Sequence, residues 1–182
     1  MTPTNTRKAL VVIDMQNDYL WPSRKPMFNY DTEDLVSHVN GAIARFSGAG
    51  HDVIYIEQIF PDIVTNRWFI GFSIRGTDGA KTYEGVKRVE GKVFEKNLPD
   101  TYTAKAFREH MAREGYGEVV LCGLDECGCV GATAQGAART GARVVMLEDC
   151  IGRRFPEAKV QKMRKKLAAL GVTYQMSELY PI

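Results

Sequence analysis

The sequence predicts an α/β fold in which six strands form one mainly parallel, doubly wound sheet. Three observations carry that expectation. Short apolar runs alternate along the whole chain with longer stretches whose apolar residues recur at helical spacing. The apolar runs, such as ALVVI (Ala9–Ile13) and VVLC (Val119–Cys122), are continuous rather than alternating, as strands buried on both faces must be. No internal repeat or linker-like stretch divides the 182 residues, so one domain spanning 1–182 is expected.

The first strand, Ala9–Ile13, ends at Asp14, and MQNDYLWPSRKP after it reads as a loop closed by two prolines. Thr32 with Glu33 and Asp34 opens an amphipathic helix with apolar positions Leu35, Val36, Val39, Ala42, Ile43 and Phe46, and the glycines of SGAGHD stop it. Val53–Ile56 is the second strand. From Phe60 to Gly91 the periodicity fades, although Trp68, Phe69, Ile70, Phe72 and Ile74 cluster there; a short helix is expected near Arg67–Phe72. An insert of that length in a compact domain serves a site or an interface. Lys92–Glu95 is a short third strand with Lys96 at its end. Ala104–Arg113 is helical, with Ala104, Phe107 and Met111 on one side, and the EGYG stretch breaks it.

The fourth strand, Val119–Cys122, ends at Gly123, and a helix begins near Cys129. Its small residues, among them Gly131, Ala132, Ala134 and Ala137, let it lie close against a sheet. Ala142–Leu147 is the fifth strand, ending at Glu148 and Asp149. A helix over Pro156–Leu170 has proline in its first turn and stops at Gly171, and Val172–Met176 is the sixth strand. Right-handed crossovers put helices on both faces, giving a three-layer α-β-α, Rossmann-like arrangement with strand order 3-2-1-4-5-6.

A formal net charge of +2 is too small to point to nucleic acid or a membrane surface. The basic run RRFPEAKVQKMRKK carries Val160, Met163 and Leu167 at helical spacing and reads as the solvated face of an amphipathic helix. No stretch approaches the ~20 apolar residues that a bilayer span needs, and the polar start, MTPTNTRK, predicts no secretory leader. A cytoplasmic, reducing location follows, with Cys122, Cys127, Cys129 and Cys150 as free thiols. Cys127 and Cys129 lack the paired knuckles and histidines of a structural zinc site.

Three reactive groups fall at strand carboxyl ends: Asp14 after the first strand, Lys96 after the third, Cys129 after the fourth. With the first and fourth strands adjacent at the point where the order reverses, a carboxylate, an ammonium and a thiol converge, which is a means of activating a nucleophile. Each has a blander reading: an aspartate capping a loop, a solvent-exposed lysine, a small core cysteine. Their shared edge favours the chemical one. The helix N-terminus at Cys129 is expected to ease ionisation of its thiol. The aromatic segment precedes the strand that carries Lys96, so at least one of Trp68 and Phe69 is expected to border the pocket, with Phe72 and Tyr19 as further substrate-binding candidates.

ALVVIDMQNDYL, VFEKNLPDTYTAKAF and VVLCGLDECGCVGATAQGAARTGARVVMLEDC together resemble the isochorismatase-like cysteine hydrolases, the group containing nicotinamidase, N-carbamoylsarcosine amidase and ureide-processing amidohydrolases. The resemblance implies Cys129 as nucleophile, Asp14 as proton acceptor and donor, and Lys96 as the charged third member. It also implies a cis peptide between Leu124 and Asp125, and an oxyanion hole from the backbone N–H groups of Asp125 and Cys129. The implied activity is cofactor-free hydrolysis of a small amide, carbamoyl or ureide compound through a thioester, in a homo-oligomer (dimer or tetramer).

Two departures stand out. Asp125 and Glu126 replace small or hydroxyl residues, and acidic groups aimed at the site would oppose thiolate formation; the alternatives are that they face away or select a cationic substrate. Where nicotinamidases carry an Asp-x-His metal motif, this chain has Glu57-Gln58-Ile59-Phe60-Pro61, and none of His38, His51 or His110 lies just after it, so no metal is expected. Vinyl-ether hydrolysis of isochorismate, which does not need the thiol, and a non-catalytic binding protein are the alternative functions.

Overall fold

Strands β1 (Lys8–Ile13), β2 (Asp52–Gln58), β3 (Lys92–Lys96), β4 (Glu118–Gly123), β5 (Arg143–Ile151) and β6 (Thr173–Gln175) form one sheet in the order β3-β2-β1-β4-β5-β6. Every neighbouring pair is parallel, so the sheet is the doubly wound one expected, its order reversing between β1 and β4. This computed structural model describes residues 7–182; the first six residues of the polar start, on which the expectation of no leader rests, lie outside the described residues. The connections carry helices α1 (Asn17–Leu20), α2 (Thr32–Gly48), α3 (Val64–Phe69), α4 (Lys105–Glu114), α5 (Cys129–Ala138) and α6 (Glu157–Ala168).

Successive side chains on a strand point to opposite faces, and different helices cover the two. Leu10, Val12, Val120, Cys122, Val145 and Leu147 pack with Leu35, Val39, Ile43 and Phe46 of α2. Ala9, Val11, Ile13, Leu121, Val144 and Met146 pack with Phe107 of α4, Val130 and Ala134 of α5, and Leu167 of α6. Each fully buried side chain of this size contributes roughly 1.5–3 kcal/mol. A one-residue slip of a strand would exchange the two sets, so burial fixes the register.

Three departures from expectation matter for the site. β5 continues past Leu147 to Ile151, because an irregularity opposite Leu121–Gly123 restores pairing between Gly123 and Ile151. Glu148 and Asp149 therefore lie inside the strand, and Asp149 accepts from Ser177 N (2.8 Å) and Oγ (2.6 Å), fastening the C-terminal segment. The loop after β1 contains the short helix α1. The helix in the aromatic segment is α3, N-terminal of the expected position, since the chain turns through left-handed residues at Gly71 (φ 65°) and Ser73 (φ 51°). Among the described residues, no helix is long and apolar enough to cross a membrane.

Candidate active site

Register explains how the strand ends come together. Ile13 of β1 pairs with Ile56 of β2 and Gly123 of β4, while Gln58 of β2 pairs with Lys96 of β3. Asp14 leaves β1 in the left-handed region (φ 53°), its N–H held by the Ile56 carbonyl at 2.9 Å. Aspartate enters that region more readily than most residues. Gly123 has φ 107° and lies so close to Ile13 that a Cβ would collide with the Ile13 carbonyl. Glycine alone fits this approach, which delivers the turn after β4 beside Asp14. The Leu124–Asp125 peptide bond in that turn is cis, and α5 begins at Cys129.

Lys96 joins the groups. Its Nζ donates to Asp14 Oδ2 at 2.9 Å, to Gln58 Oε1 at 2.6 Å and to Cys129 Sγ at 3.2 Å. An ammonium has three donors, and all three are engaged. The Lys96 side chain is 0% exposed and that of Asp14 4%, so each charge depends on the other for compensation. The three residues expected at one edge are thus brought within hydrogen-bonding distance. Asp14 Oδ1 is buried without a hydrogen-bond partner.

The electrostatics set the resting protonation. Burial pushes the Asp14 carboxyl up, and Lys96 only partly pulls it back. Burial opposes the Lys96 charge, but Asp14 and Cys129 outweigh it and raise its pKa. Burial, reinforced by Asp14, pushes the Cys129 thiol well above its ordinary value, with Lys96 a partial offset. The helix N-terminus was expected to ease ionisation, but the thiol stands above its ordinary value, with burial the largest influence on it. Burial thus disfavours the thiolate of Cys129, while Asp14 and Lys96 each favour the other's charged form.

A cleft of about 320 Å³ opens over Cys129, lined by Asp14, Gln58 and Asp125 and walled by apolar side chains that include Phe28 and Phe60. Tyr19 and Phe72 line it as expected, each packed edge-on against Phe28 with ring centroids 4.8 and 5.1 Å away. Trp68 and Phe69 do not line it. They are 84% and 86% exposed on α3, because the turns at Gly71 and Ser73 send Phe72 inward and leave the helix outside. Two roomier hollows, of about 400 and 500 Å³, lie at the C-terminal ends of α4 and α5 and beside β3; no cysteine lines either.

The family model for the Isochorismatase domain matches residues 8–178. The chain belongs to the isochorismatase family. It is 26% identical over 142 residues to the uncharacterized isochorismatase family protein YddQ of Bacillus subtilis (strain 168), covering 78% of this chain and 75% of that one. Among solved structures it is similar to the N-carbamoylsarcosine amidase from Thermoplasma acidophilum, with 24% identity, TM-score 0.81, and 97% and 99% of the two chains covered. It is also similar to the pyrazinamidase of Pyrococcus horikoshii in complex with zinc, with 20% identity, TM-score 0.81, and coverage of 93% and 99%. At these identities the likeness to the solved structures is one of fold.

In this isochorismatase-family protein the acidic turn is neutralised by arginines. Asp125 borders the cleft, and its Oδ2 accepts from Arg154 Nε (2.7 Å) and the Tyr30 hydroxyl (3.1 Å). Glu126 lies outside the cleft, fully buried, between Arg164 Nε (2.7 Å) and Arg153 Nε (2.9 Å). Both arginines also reach Glu148. The basic run around α6 is therefore more than a solvated face: three of its arginines brace the nucleophile turn.

The end of β2 offers this family member no metal ligand set. Glu57 accepts from Thr82 Oγ1 (2.6 Å), the Gln58 amide oxygen is committed to Lys96, and no His/Cys/Asp/Glu group among the described residues is placed to hold an ion. These side chains do not supply a ligand set for an ion such as the zinc in the complex of the Pyrococcus horikoshii pyrazinamidase. Gln58, Tyr30, Phe28 and Arg154 escaped the sequence reading. Gln58 was legible only as part of a missing motif, although its place at the end of β2 beside Lys96 was a usable signal. Tyr30, Phe28 and Arg154 sit in loops whose course the sequence does not specify.

Proposed function

We propose that this chain is a metal-independent cysteine amidohydrolase that cleaves a C–N bond in a small amide, carbamoyl or ureide compound. The observation that carries the reading is Lys96 Nζ, which touches both Asp14 and Cys129 beneath a cleft of small-molecule size. Asp14 Oδ1, the oxygen not engaged by Lys96, takes the thiol proton as Sγ attacks the substrate carbonyl, so that charge is created only on attack. The carbonyl electrons move onto oxygen. The backbone N–H groups of Asp125 and Cys129, which donate to no backbone carbonyl, are free to receive that oxyanion; one such donor is worth about 2.7–4 kcal/mol.

Collapse breaks the C–N bond, and Asp14 returns its proton to the departing nitrogen, leaving a thioester on Cys129. Water, deprotonated by Asp14, then releases the acid and regenerates the thiol. Lys96 keeps Asp14 ionised between steps and holds it against the sulfur. The four free thiols suit a cytoplasmic setting. The test is ammonia release across small amides, carbamoyl compounds and ureides, with mass spectrometry of quenched enzyme for an acyl adduct on Cys129. Turnover that persists unchanged in Cys129→Ala would sink the thioester route.

A further inference from the structure

β1 ends at Ile13, opposite Ile56, and Asp14 turns away in the left-handed region, its carbonyl taken by Gln16 N–H at 2.8 Å. The main chain of Gln58, two residues farther along β2, therefore faces a place that no strand fills. The Gln16 side chain fills it. Its Oε1 accepts from Gln58 N–H at 2.9 Å, and its Nε2 donates to the Gln58 carbonyl at 3.0 Å and to the Ala80 carbonyl at 2.6 Å. A primary amide here copies the donor and acceptor that a strand would offer. Gln16 is 0% exposed and Gln58 4%, so water cannot take over these bonds.

The mechanism gives tasks to Asp14, Lys96 and Cys129 and none to either glutamine. Gln58 Oε1 makes the shortest of the three Lys96 Nζ contacts, 2.6 Å, and Cys129 Sγ the longest, 3.2 Å. A thiol sulfur is a weak acceptor. Without Gln58, the buried N–H left over would turn Nζ from the sulfur towards another oxygen. A carboxylate in that place would compete with Asp14 for the ammonium, whereas the neutral amide fixes its position and leaves the charge to the pair. We infer that Gln58 is a positioning residue that aims Lys96 at the Cys129 sulfur, and that Gln16 acts on the reaction through Gln58. The inference rests on the reading above, in which Lys96 serves the sulfur.

Iodoacetamide labelling of the whole chain at one mildly alkaline pH, read by mass spectrometry at Cys129 and Cys127 in the same sample, tests it without a substrate. In Gln58→Leu, labelling of Cys129 should slow by about tenfold or more, the worth of one hydrogen bond from an ammonium to the thiolate. Cys127 should keep its rate, whereas a loosened fold would speed both. Gln58→Asn, one methylene short of Lys96, should behave as the leucine variant does and replaces it if that variant does not fold. Gln16→Met, or Gln16→Glu if it does not fold, should also slow Cys129, and adding it to Gln58→Leu should slow Cys129 no further. Single effects that multiply in the double variant would give Gln16 a separate route through Ala80 and overturn the inference. So would failure of both variants at either glutamine to fold, which would make that residue structural. Ammonia release separates the two readings. No wild-type turnover of any amide, carbamoyl compound or ureide would overturn the amidohydrolase, whereas wild-type turnover with unslowed Cys129 labelling in the Gln58 variants would overturn this inference alone.

Discussion

Lys96 reaches Asp14 across an intervening strand: Nζ and Oδ2 are 2.9 Å apart, although Lys96 ends β3, Asp14 follows β1, and β2 runs between them. Strands are about 4.8 Å apart, so only a long cationic side chain spans the gap, and Gln58 receives it on the way. The pair is buried, and removing one partner from such a pair costs about 3–5 kcal/mol because the other charge is left uncompensated.

Lys96→Ala should therefore lose activity and stability together, seen as a lower urea midpoint. Asp14→Asn preserves shape but leaves the buried Lys96 charge without its partner, so it should lower kcat by roughly 10²–10⁴ and lower the urea midpoint as well. Lys92, exposed on the same strand, should tolerate alanine with little effect. A severe Lys92 variant beside a healthy Lys96 variant would remove Lys96 from the site.

Cys129→Ala should abolish turnover and retain the fold, since α5 starts among small residues and alanine suits a helix there. Cys127, half-buried and absent from the cleft, should tolerate alanine with most activity kept. Steady-state rates with circular dichroism of both variants check this; exchanged phenotypes would place the nucleophile two residues earlier.

The pH dependence follows from the buried triad. Asp14 must be ionised to act, and its pKa is raised above the ordinary 3.8, so kcat/KM should fall on acidification at a higher pH than for an exposed aspartate. Lys96 must stay protonated, and its pKa is raised above 10.5, so the alkaline limb should lie beyond that value. The Cys129 thiol is raised above 9.0, so no gain should accompany thiol ionisation between pH 8 and 9. A rise there, tracked by kcat/KM against pH, would show that the thiol ionises before attack.

Ile63, Val64, Trp68 and Phe69 form an exposed apolar ridge on and beside α3, of a kind that seldom stays in water. We expect a second copy of the chain to cover it, making the protein a homo-oligomer. Light scattering should report more than one chain for wild type and a single chain for Trp68→Glu; a monomeric wild type would end the expectation.

The sheet was legible because β1, β4 and the start of β5 are continuous apolar runs, with helical periodicity between them. Asp14, Lys96 and Cys129 were picked out as candidates because each falls at or past the carboxyl end of an expected strand, and the fold brings them together. What stayed hidden depends on backbone turns and on distant partners. Trp68 and Phe72 are four residues apart and equally aromatic, yet the left-handed turns at Gly71 and Ser73 send one out and one in. The neutralisation of Glu126 by Arg153 and Arg164 required knowing where β5 ends, and the bulge opposite Leu121–Gly123 moved that end beyond Leu147.

Asp14, Gln58 and Lys96 hang from strands at the middle and flank of the sheet, while Phe28, Phe60 and Phe72 hang from connections outside it. Local opening begins in peripheral segments and reaches central strands last. Thermal excursions should therefore reshape the walls long before they disturb the reacting groups. The same division lets mutation redraw the walls, and so the range of molecules admitted, while the bond-breaking apparatus is inherited unchanged.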